Sequence, residues 1–185
     1  VLILHGYGDC KEKLLGLSEK LSENGFLTIC IDLRGHGENK NILSVKMLDD
    51  VNFLIQYCQS FGKTAVIGHS MGGRLALLSV ADYKISIAPA LCTSFGCQTT
   101  LDLKEFKKLV NDGNTEDFLE IFYKLPIWDE KTDNAKTYVL YAQNDKPEIQ
   151  KLCEALTKTE VEIIKEANHS DICLYQETYQ KISDK

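Results

Sequence analysis

Gly68-His69-Ser70-Met71-Gly72 is the stretch that decides the fold. Residues 64–69 form a β-branched, apolar run, and Gly72-Gly73 opens a stretch with helical spacing, so the segment reads as strand, tight turn, helix. A strand-to-helix turn this sharp needs residues without bulk on both sides of its apex, which Gly68 and Gly72 supply. Its apex, Ser70, is then lifted above the carboxyl end of a sheet, where open α/β sheets bind ligands. The competing reading of the same residues is a plain helix N-terminus with a capping serine.

Outward from this turn, similar apolar runs recur at residues 1–5, 27–32, 85–90, 137–142 and 161–165, six with the run at 64–69. Each is hydrophobic enough to be buried on both faces, edge strands excepted, and amphipathic stretches lie between them. Leu14, Leu17 and Leu21 are closed by Asn24-Gly25, and Leu48, Val51, Leu54, Ile55 and Cys58 by Gly62. A helix is expected over 72–81, one from Pro147 with Ile149, Leu152, Cys153 and Leu156 inward, and a last one carrying Ile172, Tyr175, Tyr179 and Ile182. The expected architecture is α/β: a mostly parallel six-stranded sheet with helices on both faces, in one domain over residues 1–185.

The alternation breaks once. Between the fourth and fifth strands lie two helical patterns and no strand, with Leu103, Phe106, Leu109 and Val110 in the first and Phe118, Phe122 and Leu125 in the second. They are separated by the turn signal Asn111-Asp112-Gly113-Asn114. Residues 95–129 are therefore expected to form a small helical cap. Its apolar stripe of Phe118, Leu119, Phe122 and Leu125 either roofs a pocket, with Phe118 and Phe122 touching substrate, or packs as core. Lys104, Glu105, Lys107 and Lys108 should face water.

A chain of 185 residues with 44% hydrophobic and 26% charged residues is sized and composed for one globular core. Twenty-one Lys and Arg against 27 Asp and Glu leave a net charge of −6 with no basic cluster, which argues against nucleic-acid binding. No apolar run approaches the roughly 18 residues of a membrane span. Seven cysteines without a CxxC pair, most within apolar stretches, fit a reducing, cytoplasmic compartment. The chain opens on strand-like residues at Val1 rather than Met, so residues are expected to precede it in the gene or to have been removed. No dinucleotide fingerprint, phosphate-binding loop or zinc spacing is present, and no cofactor or metal is expected.

A serine hydroxyl is a weak nucleophile and needs a base held by a third group. Of the four histidines (His5, His36, His69, His169), His169 alone follows the turn, at the carboxyl end of the last strand. Asp145 follows the fifth strand and completes the order serine, acid, histidine; Asp171, Asp129 and Glu148 are rival acids. The backbone N–H groups of Met71, at the start of the helix, and Tyr7, in His5-Gly6-Tyr7-Gly8, are candidate oxyanion donors.

Taken together, His5-Gly6-Tyr7-Gly8, Asp32-Leu33-Arg34-Gly35-His36-Gly37, Gly68-His69-Ser70-Met71-Gly72-Gly73, Asn144-Asp145 and His169 resemble the α/β-hydrolase superfamily over nearly the whole chain. The resemblance implies a serine esterase, lipase or thioesterase with the triad Ser70, Asp145 and His169 and an oxyanion hole at Tyr7 and Met71. It further implies that Arg34 and His36 are scaffold, and that the partner is a small-molecule ester; the small size of the 95–129 insertion predicts a fairly open site that prefers short or medium acyl groups. The chain departs from the family in two places: it lacks the first two family strands, and Asn168 precedes His169 where glycine is frequent. A ligand-binding protein on the same fold, C–C bond hydrolysis and perhydrolysis are the other functions open to this constellation.

Overall fold

Leu2, Ile3 and Leu4 are all buried because each strand residue alternates between two filled layers. They form β1 (Leu2–Leu4), paired in parallel with β2 (Ile29–Ile31) on one side and β3 (Ala65–His69) on the other. In the computed structural model, which describes residues 1–113, 115, 117 and 119–185, β4 (Tyr83–Ile87), β5 (Lys136–Asn144) and β6 (Glu160–Asn168) continue the sheet. The order is β2-β1-β3-β4-β5-β6, with every neighbouring pair parallel.

Helices cover both faces. Ile3 points into a core shared with α1 (Leu15–Glu23), α6 (Pro147–Glu154) and α7 (Gln176–Ser183), through Leu17, Leu21, Ile149, Cys153 and Ile182. Leu2 and Leu4 point the other way, onto Met47, Val51 and Ile55 of α2 (Met47–Gln59) and Met71 and Leu75 of α3 (Met71–Leu78). The chain leaves β1 for the sheet edge at β2, then returns across β1 to β3. The crevice at such a reversal lies at the carboxyl ends of the two diverging strands, which here are His5-Gly6 and His69-Ser70.

Several boundaries differ from the periodicity: β2 is shorter, β5 and β6 are longer, the last helix starts at Gln176 after a 3-10 turn over Ile172–Leu174, and two differences bear on the site. The fourth strand, expected over 85–90, spans Tyr83–Ile87: Ala88 takes a positive φ of 49°, its N–H still reaching Leu140 O at 2.7 Å, and Pro89 has no N–H to continue the ladder. The helix expected over 72–81 ends at Leu78, where Ser79 Oγ donates to Ala76 O at 2.7 Å. Between β4 and β5 run α4 (Cys97–Phe106), continued by a 3-10 turn over Lys107–Leu109, and the short α5 (Glu120–Lys124). Among the described residues no helix is long and apolar enough to cross a membrane.

Candidate active site

The turn after β3 is built by close approach. A Cβ on Gly68 would stand 2.0 Å from Gly72 O, and one on Gly72 would stand 2.5 Å from both Leu4 O and His5 O. Backbone therefore packs on backbone here, and Ser70 is forced to φ 54°, ψ −114°, a strained region for a residue with a side chain. Hydrogen bonds hold the strain in place: Ser70 N donates to Ile87 O at 2.9 Å, and Ser70 O accepts from Arg74 N and Ala90 N, both at 3.1 Å. The irregular end of β4 is thus what pins the serine.

Three strand ends converge on one chain of hydrogen bonds. Ser70 Oγ, after β3, lies 3.0 Å from His169 Nε2, after β6, and His169 Nδ1 lies 2.8 Å from Asp145 Oδ1, after β5. A carboxylate accepts only, so Nδ1 carries the proton and Nε2 is free to accept one from the serine. The Asp145 side chain has no solvent exposure, and its oxygens also accept from Lys146 N at 2.8 Å and Ala142 N at 3.2 Å, which fix its orientation.

The rival acids are engaged elsewhere. Asp171 ties the turn that carries His169, accepting from Asn168 N at 2.8 Å and Asn168 Nδ2 at 2.6 Å. Asparagine before the histidine therefore has a structural use, gripping that turn from its first residue. Asp129 accepts from Lys131 N at 2.9 Å, and Glu148 from Gly96 N at 3.1 Å.

The other histidines are neutral struts. His69 Nε2 donates to His169 O at 2.8 Å, and burial, reinforced by the neighbouring His169, pushes its pKa down to about 3. His5 Nδ1 donates to Gly6 O at 2.7 Å while its Nε2 accepts from Leu33 N at 3.0 Å, and burial lowers its pKa as well. His36 donates from Nδ1 to Arg34 O at 3.0 Å, and burial brings its pKa down to about 4. Arg34 makes a forked pair with Asp50 at 2.8 and 2.9 Å.

Ser70 opens into a cavity of about 310 Å³ whose apolar lining includes Tyr7, Phe95, Leu103, Phe106, Phe122 and Leu174. Tyr7, on the loop after β1, and Met71, the first residue of α3, flank the serine; the Met71 N–H lies in the helix's first turn, where it has no intrahelical acceptor. The insertion contributes differently from the expected stripe. Phe122 is 1% exposed, packed on Tyr7 and Phe95 with ring centroids 5.5 and 5.0 Å apart, and Leu125 is equally buried, so this face is core whose edge reaches the cavity. Phe118 lies outside the described residues. The exposed side of the cavity is formed instead by α4, through Thr99, Asp102, Leu103 and Phe106. Lys104, Glu105 and Lys108 face water, whereas Lys107 is half-buried, pairing with Asp112 at 3.3 Å and donating to Thr115 O at 2.9 Å.

Sequence reasoning passed over Arg74, Asp9 and the Lys146–Asp102 ion pair that joins the Asp145 loop to α4. Arg74 had a signal, a lone charge in an otherwise apolar and glycine-rich helix.

Comparison with known proteins places the chain. Similar solved structures include an esterase from Thermogutta terrifontis (18% identity, TM-score 0.69, covering 99% of this chain and 87% of that one) and a monoacylglycerol lipase from Paleococcus ferrophilus (19%, 0.69, 99% and 91%). A methylesterase from Arabidopsis is alike at 14% identity, TM-score 0.71, covering 98% and 95%. No curated protein matches at the level of sequence. The sequence model of the α/β-hydrolase fold matches residues 1–109, more than half of the 185, and these contain β1, the turn at Ser70 and the start of the insertion; the chain belongs to the α/β-hydrolase family.

Proposed function

We propose that the protein is a serine hydrolase that cleaves carboxylic esters or thioesters of small to medium acyl groups. The observation that carries this reading is the run Ser70 Oγ, His169, Asp145 at 3.0 and 2.8 Å, opening into the apolar cavity. Ser70 Oγ attacks the carbonyl carbon as its proton passes to His169 Nε2, and the buried Asp145 carboxylate stabilises the imidazolium. The Tyr7 and Met71 N–H groups receive the oxyanion. His169 then protonates the departing alcohol or thiol, and water, deprotonated by the same imidazole, releases the acid from the acyl-enzyme. The cavity, about 310 Å³, is at the small end of ligand sites, which supports short and medium acyl chains.

The insertion over 95–129 is the cap in this reading, with Phe122 at the pocket edge. All seven cysteines, Cys92 and Cys97 among them, are free thiols, which supports a cytoplasmic location. Ser70→Ala should lower kcat on p-nitrophenyl butanoate by about 10⁶-fold and abolish labelling by a fluorophosphonate, with the melting temperature nearly unchanged. Retention of more than about a tenth of kcat would rule out the acyl-enzyme route.

A further inference from the structure

The cavity holds a carboxylate that the hydrolytic steps do not use. Asp9 lines the same space as Ser70 and His169. A virtual methyl on Gly6 locates it: Ser70 Cβ lies 3.2 Å and Asp9 Oδ2 3.5 Å from that one point, so the carboxylate stands beside the nucleophile, within reach of a substrate bound there. Its only backbone anchor is Asp9 N to Gly6 O, at 3.3 Å; among the described residues no donor hydrogen-bonds to the carboxylate, and no cation lies within ion-pair distance. Burial raises its pKa, with Lys13 the first of the charges that pull the other way.

The other charges of the lining are committed. Lys146 is paired with Asp102, and Glu148 accepts from Gly96 N. Lys13 is exposed at the rim. Among the described residues Asp9 is therefore the lining carboxylate held by neither a hydrogen bond nor an ion pair, and a partly buried carboxylate without a partner is stabilised by whatever donor or cation a ligand brings.

An aromatic side chain lies against the residue before it. Gly8 has φ +77°, and a Cβ there would fall 2.5 Å from Phe106 Cβ, so α4 lays Phe106 directly on the residue before Asp9. Phe106 stays 42% exposed, and it and Phe95 line the cavity. An unpaired carboxylate sharing a cavity with aromatic side chains is the set of groups that recognises an alkylammonium ion. We propose that Asp9 and Phe106 form a cation subsite, and that the preferred substrates are esters or thioesters carrying an alkylammonium group. This rests on the hydrolase reading above for turnover, though not for binding.

The test uses a pair of thioesters of one shape, 2-(trimethylammonio)ethyl thioacetate and 3,3-dimethylbutyl thioacetate, with thiol release followed at constant ionic strength. The wild type should favour the cationic ester at least tenfold in kcat/KM, mainly through KM, and the preference should shrink as salt is raised. Asp9→Asn, which is isosteric and breaks no hydrogen bond, should cut kcat/KM for the cationic ester at least tenfold more than for the neutral one. Lys13→Met should enlarge the preference. Equal rates on the two esters in the wild type, or a preference that survives Asp9→Asn, overturns the subsite. So does an equal fall in kcat on both esters, which would make Asp9 a positioning residue of the Tyr7 loop. If neither ester is turned over, activity on p-nitrophenyl butanoate decides the hydrolase reading separately, and calorimetry with tetramethylammonium still decides the subsite: binding lost in Asp9→Asn upholds it, and no binding to the wild type removes it.

Discussion

Arg74→Met should destabilise the protein and release one segment in particular. Arg74 is fully buried in α3, and no carboxylate answers it among the described residues. Its guanidinium is solvated by backbone: Nη2 donates to Leu125 O at 2.7 Å and Pro126 O at 2.9 Å, Nη1 to Phe122 O at 3.1 Å, and Nε to Pro126 O at 3.2 Å. These carbonyls belong to α5 and the two residues after it, the end of a helix where acceptors are left without intrahelical donors and the dipole is negative. Methionine keeps the stem and removes every donor. Leaving the buried carbonyls of Phe122 and Leu125 unpaired costs about 1–3 kcal/mol each, and that of the exposed Pro126 can turn to water. That total is an upper bound, because the several kcal/mol of burying a guanidinium is relieved and the segment can tilt toward water. A net loss of about 3 kcal/mol lowers the melting temperature by about 6–12 °C at this chain length. Arg74→Lys should recover little of it, since a lysine retains the buried charge but cannot present a planar fork to three carbonyls.

Urea melts give the size of the loss, and hydrogen exchange gives its place. Protection should fall first over 119–126, ahead of α3 and the sheet, and KM should rise as the Phe122 edge of the cavity loosens. An unchanged urea midpoint, a full rescue by lysine, or protection lost evenly along the chain would each refute the claim that Arg74 holds the insertion through its carbonyls.

Acidification should weaken the fold from about pH 6.5 down to about pH 4. Burial holds His36 and His69 at about 4 and about 3 against an ordinary value of 6.5, so in that window the unfolded chain takes up protons that the folded chain refuses, and nothing is lost above it. The slope is up to about 1.4 kcal/mol per pH unit for each histidine, and a urea midpoint flat between pH 7 and pH 5 would contradict it. Gly72→Ala should prevent accumulation of soluble protein, because its methyl would stand 2.5 Å from two β1 carbonyls, whereas Gly25→Ala, with nothing within 4 Å and only its φ of +86° to strain, should cost about 1 kcal/mol; equal urea midpoints for the two would be the wrong result. Lys146→Met should change global stability by less than about 1 kcal/mol, since the pair with Asp102 is partly exposed, yet raise exchange and proteolysis within 97–106; an unaltered α4 would refute the clasp.

The turn at Ser70 was legible in the sequence because its determinants are contiguous: strand, glycine, serine, glycine, helix. His169 and Asp145 were legible because their strands were, and a residue just past a parallel strand's end has one place to be. The end of β4 was not, since the turn of Ala88 depends on Leu140 O and on the serine turn it supports. Arg74 and Asp9 were passed over for a related reason. Periodicity reports how much apolar surface a segment must bury, and says nothing of which carbonyls or cavities its polar residues meet.

The two halves of the insertion are held in different ways, which periodicity cannot report. The apolar stripe left two readings open, a roof over a pocket or core; its Phe122 and Leu125 are buried, with Phe122 reaching the cavity, and Arg74 ties the carbonyls around them to α3. The first helix, α4, buries no residue of its own, and its polar ties include the Lys146–Asp102 pair and the bond from Gly96 N to Glu148. Elements held by few buried apolar contacts open at the lowest free energy. The anchored half therefore shapes the floor of the cavity, whereas α4, which brings Phe106 and Leu103 to the lining, is the half expected to open at the lower free energy. If the proposed hydrolase reading holds, changes at Phe106 should alter specificity at less expense of stability than changes at Phe122, measured as kcat/KM ratios across ester chain lengths beside urea midpoints.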